Sequence, residues 1–328
     1  MSPLPPIVEC RLCPRRCKLA ENERGDCRVR VNLDGELRTL VYGKPCALHI
    51  DPVEKKPLFH FLPGSSIFSI ATAGCNLHCL FCQNWNISQS DPEETRNESF
   101  PPEHIVDAAL KNRCPSIAYT YTEPVIYYEY TYDTCLQAHQ KGLRNVLVTA
   151  WYIEEEPATE MAKVVDAANV DIKSFDDRFY RELCGGSLRP VLRATEILSK
   201  AGVLVEITNL IVPTKNDDPG VICELCAWVH DHLGAETPIH FTRFHPDYRL
   251  TGIPSTPAKT LLMAAETAHI QGLHHVYVGN LPEGGNEDTF CSKCGKKLIA
   301  RRGFRVNENR LVAGRCPDCL QPLHGIWK

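Results

Sequence analysis

From residue 66 to residue 279 the chain alternates short apolar runs with longer segments of helical periodicity. The apolar runs have the length of strands and lie at 66–72, 116–121, 144–150, 168–173, 203–212, 238–244 and 274–279. Helix-like segments with an early proline or acidic residue, such as PPEHIVDAALKNR, separate these runs. Strand–helix alternation at this spacing is typical of βαβ units and a parallel sheet. We therefore predict an α/β fold with a partial (β/α)6 barrel of the TIM type.

Polar residues stand at the carboxyl ends of several predicted strands. In parallel barrels the chemistry takes place at this end of the strands, so these residues are candidates for a site. They are Thr122, Glu123, Asp171, Lys173 and His245. Within the fifth run, Glu206 is a carboxylate in a strand, which is costly if buried without a partner. We expect Glu206 to face a polar cavity.

The 17 cysteines of the 328-residue chain add a chemical signal to this pattern. The first apolar run leads into AGCNLHCLFCQNW, which spaces Cys75, Cys79 and Cys82 as C-x3-C-x2-C. Two further sets of four are Cys10, Cys13, Cys17 and Cys27 near the start, and Cys291, Cys294, Cys316 and Cys319 near the end. The other six are scattered: Cys46, Cys114, Cys135, Cys184, Cys223 and Cys226.

Two absences from the sequence favour metal ligation over disulfides. The start, MSPLPPIVEC, lacks the layout of a signal peptide, and no apolar run reaches the length of a membrane span. We therefore expect a cytoplasmic protein with no membrane partner. In that reducing compartment, clustered cysteines are better interpreted as metal ligands.

The three cysteine sets predict different metal centres. Three thiolates on one loop can hold three irons of a [4Fe-4S] cluster and leave the fourth iron open to a ligand that is not protein. A zinc site with a distant fourth ligand is the alternative, but each of the other sets is already complete. The pattern CSKC-x21-CPDC predicts a structural zinc ribbon. For the N-terminal set, zinc and a second iron–sulfur cluster both remain open, with zinc as the first choice. The predicted domains are an N-terminal cysteine-rich module at 1–55, the barrel at 56–288 and the ribbon at 289–328.

The cysteine loop and the barrel resemble the radical S-adenosylmethionine (SAM) superfamily, and in particular the pyruvate formate-lyase activating enzymes. The stretch IDPVEKKPLFHFLPGSSIFSIATAGCNLHCLFCQNWNISQ resembles the radical SAM member of the AmmeMemoRadiSam system. The resemblance implies an oxidoreductase-like enzyme in which the cluster reductively cleaves SAM to a 5′-deoxyadenosyl radical. That radical would abstract hydrogen from a substrate that the sequence does not identify.

The resemblance also implies roles for individual residues, though it assigns no catalytic side chain. Glu123 would bind the methionyl ammonium of SAM. The residues placed at the cofactor are Phe81, Gln83, Thr122, Glu123, Asp171, Lys173 and His245. Relatives often have Thr-Asn-Gly after the third strand, whereas this chain has Thr149-Ala150-Trp151, which leaves the details of substrate access open.

Partners and alternatives follow from the same resemblance and from charge. We expect a flavodoxin- or ferredoxin-type electron donor and, by resemblance, Ammecr-type and Memo-type proteins. Residues 291–328 carry nine Lys or Arg against two Asp or Glu, which suggests an acidic partner. No aromatic residue beyond Phe304 interleaves these charges, which favours a protein partner over nucleic acid. Six basic residues of the ribbon are predicted to be surplus to folding, and either to dock on the acidic barrel or to bind an acidic partner: Lys296, Lys297, Arg301, Arg302, Arg305 and Arg310. The alternative functions are a glycyl-radical activase, a nucleic-acid-modifying enzyme or binding module, and a non-enzymatic metal scaffold.

Overall fold

Four short strands form two hairpins at the start of the chain. The computed structural model describes residues 6–281 and 286–328. The hairpin strands are β1 (Val8–Glu9), β2 (Lys18–Leu19), β3 (Arg30–Leu33) and β4 (Glu36–Thr39). β1 pairs antiparallel with β2, and β3 pairs antiparallel with β4.

An eight-stranded sheet follows, and its spatial order is the order of the chain. Its strands are β5 (Ala47–Pro52), β6 (Ser66–Ala71), β7 (Ser116–Tyr119), β8 (Arg144–Thr149), β9 (Ala167–Asp171), β10 (Leu204–Ile211), β11 (Ile239–Arg243) and β12 (Val276–Gly279). β5 runs antiparallel to β6, and the strands from β6 to β12 are parallel. The sequence pattern predicted every parallel strand but did not single out β5.

Helices connect the parallel strands. They are α1 (Trp85–Ser88), α2 (Pro102–Lys111), α3 (Tyr128–Gln140), α4 (Glu155–Met161), α5 (Asp177–Phe179), α6 (Leu188–Lys200), α7 (Pro219–Leu233) and α8 (Ala258–Ile270). Each of the six crossovers between β6 and β12 carries a helix, so the predicted α/β fold with a partial (β/α)6 barrel is confirmed.

Local sequence signals explain where these elements begin. Pro102 and Pro219 occupy the first turns of α2 and α7, where a missing N–H costs nothing. Asp218 caps α7 by accepting the backbone N–H groups of Gly220 and Val221. The strands are almost entirely buried, because a parallel sheet with helices across it hides both faces from water.

The prediction that Glu206 faces a polar cavity is wrong, because this side chain is fully buried within a hydrogen-bonded network. Its carboxylate accepts the backbone N–H groups of Phe59 at 3.0 Å and His60 at 2.7 Å, and it lies 2.7 Å from His240 Nε2. These contacts compensate the cost of placing a charge in a central strand. Glu206 therefore holds the 59–60 segment against the barrel.

The C-terminal ribbon consists of β13 (Thr289–Phe290), β14 (Lys297–Arg302) and β15 (Arg305–Asn309), paired antiparallel. Arg301 of β14 is buried and donates to Phe59 O and Thr289 Oγ1, both at 2.7 Å. Arg301 is thus part of the fold, and its prediction as a surplus charge is wrong. The same 59–60 segment contacts both Glu206 and the ribbon.

Among the described residues, no helix is long and apolar enough to cross a membrane. The three domain boundaries remain a prediction, and residues 1–5 and 282–285 of the predicted modules lie outside the described ranges.

Candidate functional site

A cavity of about 460 Å³ lies where the parallel strands end. Most of the residues predicted for the cofactor and the open cluster line it: Cys75, Cys79, Cys82, Phe81, Gln83, Thr122, Glu123, Asp171 and Lys173. His245 is exposed and is not among the lining residues; its Nδ1 lies 3.4 Å from Ser255 Oγ. The structure therefore brings together all of the predicted set except His245.

Backbone contacts hold the cysteine loop in place. The N–H of Leu77 lies 3.4 Å from Cys75 Sγ, which it can donate to. Two further N–H groups of the loop, those of His78 and Leu80, donate at 2.8 Å to the carbonyls of Cys184 and Leu183. These acceptors belong to a π-helical turn at Tyr180–Cys184, a rare form often found at functional sites.

The three loop thiols have unequal environments. Burial raises the pKa of Cys75 far above its ordinary value, and the nearby Glu123 carboxylate adds to the rise. Burial also raises the pKa of Cys82, although the Ser88 hydroxyl at 3.2 Å opposes it. A hydrogen bond from Cys184 lowers the pKa of Cys79, against the effect of burial. Thiolates are the form that binds metal, so a cation bound to this loop would offset the cost of ionising Cys75 and Cys82.

Glu123 is a buried carboxylate that faces this loop, with 2% of its surface exposed. Its oxygens accept the Thr149 hydroxyl, the Ala150 N–H at 2.8 Å and the Val125 N–H at 3.3 Å. Burial nevertheless raises the pKa of Glu123 to about 7. An organic cation bound in the cavity would stabilise the charged form of this carboxylate.

Asp171 and Lys173 form an ion pair at the carboxyl end of β9, with Lys173 Nζ 2.5 Å from Asp171 Oδ2. Burial favours the neutral amine, but the charges of Asp171 and Cys79 outweigh it and raise the pKa of Lys173 above its ordinary value. Lys173 therefore supplies a fixed positive charge beside the cysteine loop.

The sequence analysis did not assign several residues that the cavity contains. Lys56 lines the cavity, is 2% exposed, and lies 2.7 Å from Asp51 Oδ2 and 4.4 Å from the centre of the Tyr121 ring. Burial lowers the pKa of Lys56 to about 8. Thr149 and Ala150 also line it, whereas Trp151 is buried elsewhere. The Thr149 hydroxyl and the Ala150 backbone N–H thus support Glu123, and the departure from Thr-Asn-Gly does not place an indole ring in the cavity. The only sequence signal for Lys56 was its place in the quoted stretch before β6.

The spacing of the thiols distinguishes two kinds of metal centre. In the ribbon, Cys291 Sγ lies 3.5 Å from Cys319 Sγ, and Cys294 Sγ lies 3.7 Å from Cys316 Sγ. Four thiolates around one tetrahedral ion at 2.3 Å are about 3.8 Å apart, so this set could hold a single metal ion. In residues 6–281 and 286–328, no other group of three or more Cys, His, Asp or Glu ligand atoms lies within 4.8 Å of one another. The sulfurs of Cys75, Cys79 and Cys82 do not all lie within 4.8 Å of one another, which fits a cluster, in which each thiolate binds a different iron.

The fold and the cavity define a class: a partial α/β barrel with a thiol-lined site at the carboxyl ends of its strands. A family model, the Radical SAM superfamily, matches residues 69–226. An uncharacterized protein of Methanocaldococcus jannaschii, MJ0808, is 49% identical over 318 residues, which cover 96% of this chain and 95% of that protein. The pyruvate formate-lyase-activating enzyme of Clostridium pasteurianum is 24% identical over 193 residues, covering 55% of this chain and 80% of that enzyme.

Solved structures agree on the fold. A radical SAM methyltransferase from Sphaerobacter thermophilus has a TM-score of 0.53 and 15% identity, covering 84% of this chain and 77% of its own. Streptococcus suis SuiB bound to S-adenosylmethionine has a TM-score of 0.52 and 13% identity, covering 71% and 55%. The chain belongs to the radical SAM superfamily and is related to pyruvate formate-lyase-activating enzymes. Membership implies SAM and a [4Fe-4S] cluster as cofactors.

Proposed function

We propose that this protein is a radical SAM enzyme that reductively cleaves SAM and abstracts a hydrogen atom from a substrate bound in the same cavity. The observation that carries the proposal is the shared lining of one cavity by three loop thiols, a buried carboxylate and a buried ammonium. Cys75, Cys79 and Cys82 would hold the cluster. When bound, the cluster supplies the electron that cleaves the sulfonium of SAM to a 5′-deoxyadenosyl radical.

The residues of the chain would bind and orient the cofactor. Glu123 would accept hydrogen bonds from the methionyl ammonium. Its carboxylate is buried and faces the loop, and among the described residues no cationic side chain is in hydrogen-bond contact with it. Lys173 balances the negative charge of the cluster thiolates beside Cys79. Phe81 and the apolar parts of the lining exclude water from the reacting atoms.

The remaining metal and partner assignments are also proposals. The ribbon set is proposed to bind zinc, since its spacing suits one tetrahedral ion and its ligands are all thiolates. The electron would come from a flavodoxin- or ferredoxin-type protein. Ammecr-type and Memo-type proteins are proposed as partners from the resemblance of the sequence, and co-purification would test them.

The proposal is tested with a variant in which Cys75, Cys79 and Cys82 are all alanine. Both proteins are reconstituted anaerobically, reduced with dithionite and incubated with SAM, and 5′-deoxyadenosine is measured by mass spectrometry. We expect product from the unmodified protein and from Cys46→Ala, a control outside the three cysteine sets. Product formation by the triple variant at the unmodified rate would contradict the proposal.

A glycyl-radical activase is the second candidate, favoured by the similarity to the Clostridium pasteurianum activating enzyme. In that case the hydrogen would come from a glycine of a partner protein. Electron paramagnetic resonance of co-purified proteins after reduction with SAM would detect a glycyl radical. SAM cleavage coupled to a small molecule, with no such radical, would rule this candidate out.

A further inference from the structure

The N-terminal cysteines converge on one small enclosed space beside the radical SAM loop. All four cysteines, Cys10, Cys13, Cys17 and Cys27, line one cavity, together with Leu12, Arg15, Gly25, Arg30, Asn76, Val125 and Ile126. The chain brings these thiols together through the β1–β2 hairpin, in which the N–H of Cys10 donates to Cys17 O at 2.9 Å. Four thiols around one space form a complete ligand set for a metal centre.

Their spacing differs from that of the ribbon. Within the described parts of the chain, only the ribbon set brings three or more ligand atoms within 4.8 Å of one another. No three of the N-terminal sulfurs therefore lie within 4.8 Å of one another, whereas the four ligand sulfurs of a tetrahedral zinc ion are about 3.8 Å apart. The sulfurs of Cys75, Cys79 and Cys82 likewise do not all lie within 4.8 Å of one another.

We propose that Cys10, Cys13, Cys17 and Cys27 hold an iron–sulfur cluster and not zinc. Their intervals, C-x2-C-x3-C-x9-C, include the two- and three-residue spacings of ferredoxin ligands and only one of the C-x2-C pairs that zinc ribbons use twice. Leu12, Val125 and Ile126 supply an apolar lining, which suits a cluster that must be shielded from water.

The site is joined directly to the radical SAM loop. Arg15, between two of the cysteines, donates to Asn76 O at 2.6 Å, and Asn76 follows Cys75 in the loop. Asp26, next to Cys27, lies 2.7 Å from His78 Nε2. Asn76 itself lines the N-terminal cavity, so one residue of the loop borders both sites. The proposed cluster and the family cluster would therefore be neighbours.

The experiment uses the full-length chain with Cys75, Cys79 and Cys82 changed to alanine, so that any iron must be bound elsewhere. After anaerobic reconstitution, iron, sulfide and zinc are counted per chain. We expect this variant to retain about four irons and four sulfides, with about one zinc per chain. About two zincs and no iron would overturn the proposal.

Two further measurements locate the iron. Adding Cys13→Ala and Cys17→Ala to the triple variant should remove the remaining iron and leave the zinc, whereas Cys294→Ala and Cys316→Ala should remove zinc and leave the iron. Iron that survives the first change overturns the assignment. If the variants do not fold, the dithionite-reduced unmodified protein is studied by electron paramagnetic resonance. One cluster signal should change on adding SAM and a second, with four protein ligands, should not; a single signal that SAM changes completely overturns the proposal.

This inference does not depend on the enzymatic proposal. A zinc-filled N-terminal site with normal formation of 5′-deoxyadenosine would overturn the cluster and leave the proposed function intact. Two clusters per chain with no cleavage of SAM would support the N-terminal cluster and overturn the proposed function.

Discussion

The backbone N–H of Ala150 donates to Glu123 Oε2 over 2.8 Å, across the ends of two neighbouring strands. The turn after β8 thus orients the buried Glu123 carboxylate toward the cysteine loop, and the Thr149 hydroxyl donates a second hydrogen bond to this carboxylate. A carboxylate held in this way is preorganised for a cation, because its orientation is set before any ligand binds.

The pH dependence of stability should reveal the buried state of Glu123. Its pKa is raised from 4.5 to about 7 by burial, so the folded state holds a proton that the unfolded state releases. The stability due to protonated Glu123 is therefore complete below about pH 4.5 and is lost as pH rises to about 7. Glu123→Gln should remove this loss, which amounts to roughly 3 kcal/mol. Urea unfolding of the cluster-free proteins between pH 5 and 8 measures the difference.

The control for this prediction is Glu98→Gln, at an exposed position. Its unfolding free energy should run parallel to that of the unmodified protein across the same pH range. Identical pH profiles for Glu123→Gln and Glu98→Gln would contradict the assigned environment of Glu123.

Gly74→Ala should disrupt the contact between the N-terminal module and the cysteine loop. A Cβ at this position would lie 2.4 Å from Cys27 O, and the residue has φ of +90°. Gly202→Ala is a matched control, because it has φ of +83° with no atom within 4 Å of the added Cβ. The left-handed backbone costs both variants about 1–2 kcal/mol, but only Gly74→Ala should lose additional stability and iron. Equal unfolding free energies and iron contents would show that the close approach is relaxed in solution.

Arg301→Ser should destabilise the protein through the ribbon. The change leaves the carboxylate of Glu54, 3.8 Å from the guanidinium and with its side chain inaccessible to solvent, without its cation. Removing one partner of a buried charge pair costs about 3 kcal/mol or more. Arg302→Ser, one residue further at an exposed position, should change stability by less than about 0.5 kcal/mol. Denaturant unfolding compares the two, and comparable losses would contradict the burial of Arg301.

Glu206→Ala should be among the most destabilising single changes in the barrel. It would leave two backbone N–H groups, those of Phe59 and His60, without an acceptor in the interior. Each such buried group costs about 1–3 kcal/mol. Glu224→Ala, at an exposed position of α7, is the control and should be nearly neutral. A small effect at Glu206, with cofactor binding lost instead, would support the polar cavity that the sequence predicted.

The sequence by itself determined the barrel and the identity of the chemical groups. The periodicities of strands and helices are local properties, so the seven parallel strands could be predicted from the apolar runs. Glu123 and Lys173 could be predicted as site residues because the carboxyl ends of parallel strands meet at one edge of a barrel. The spacing of Cys75, Cys79 and Cys82 is also local, because one short loop carries all three ligands.

Only the tertiary structure decided which groups are buried and what they contact. Arg301 and Glu206 lie 95 residues apart in the sequence, yet both are fixed by the 59–60 segment, which no local pattern connects to either. His245 follows a strand end but is exposed to solvent, so its position in the sequence wrongly predicted that it would line the cavity. The spacing of the N-terminal thiols likewise depends on how two hairpins pack against the barrel. Composition cannot encode distances between ligands from different loops, and those distances distinguish a single metal ion from a cluster.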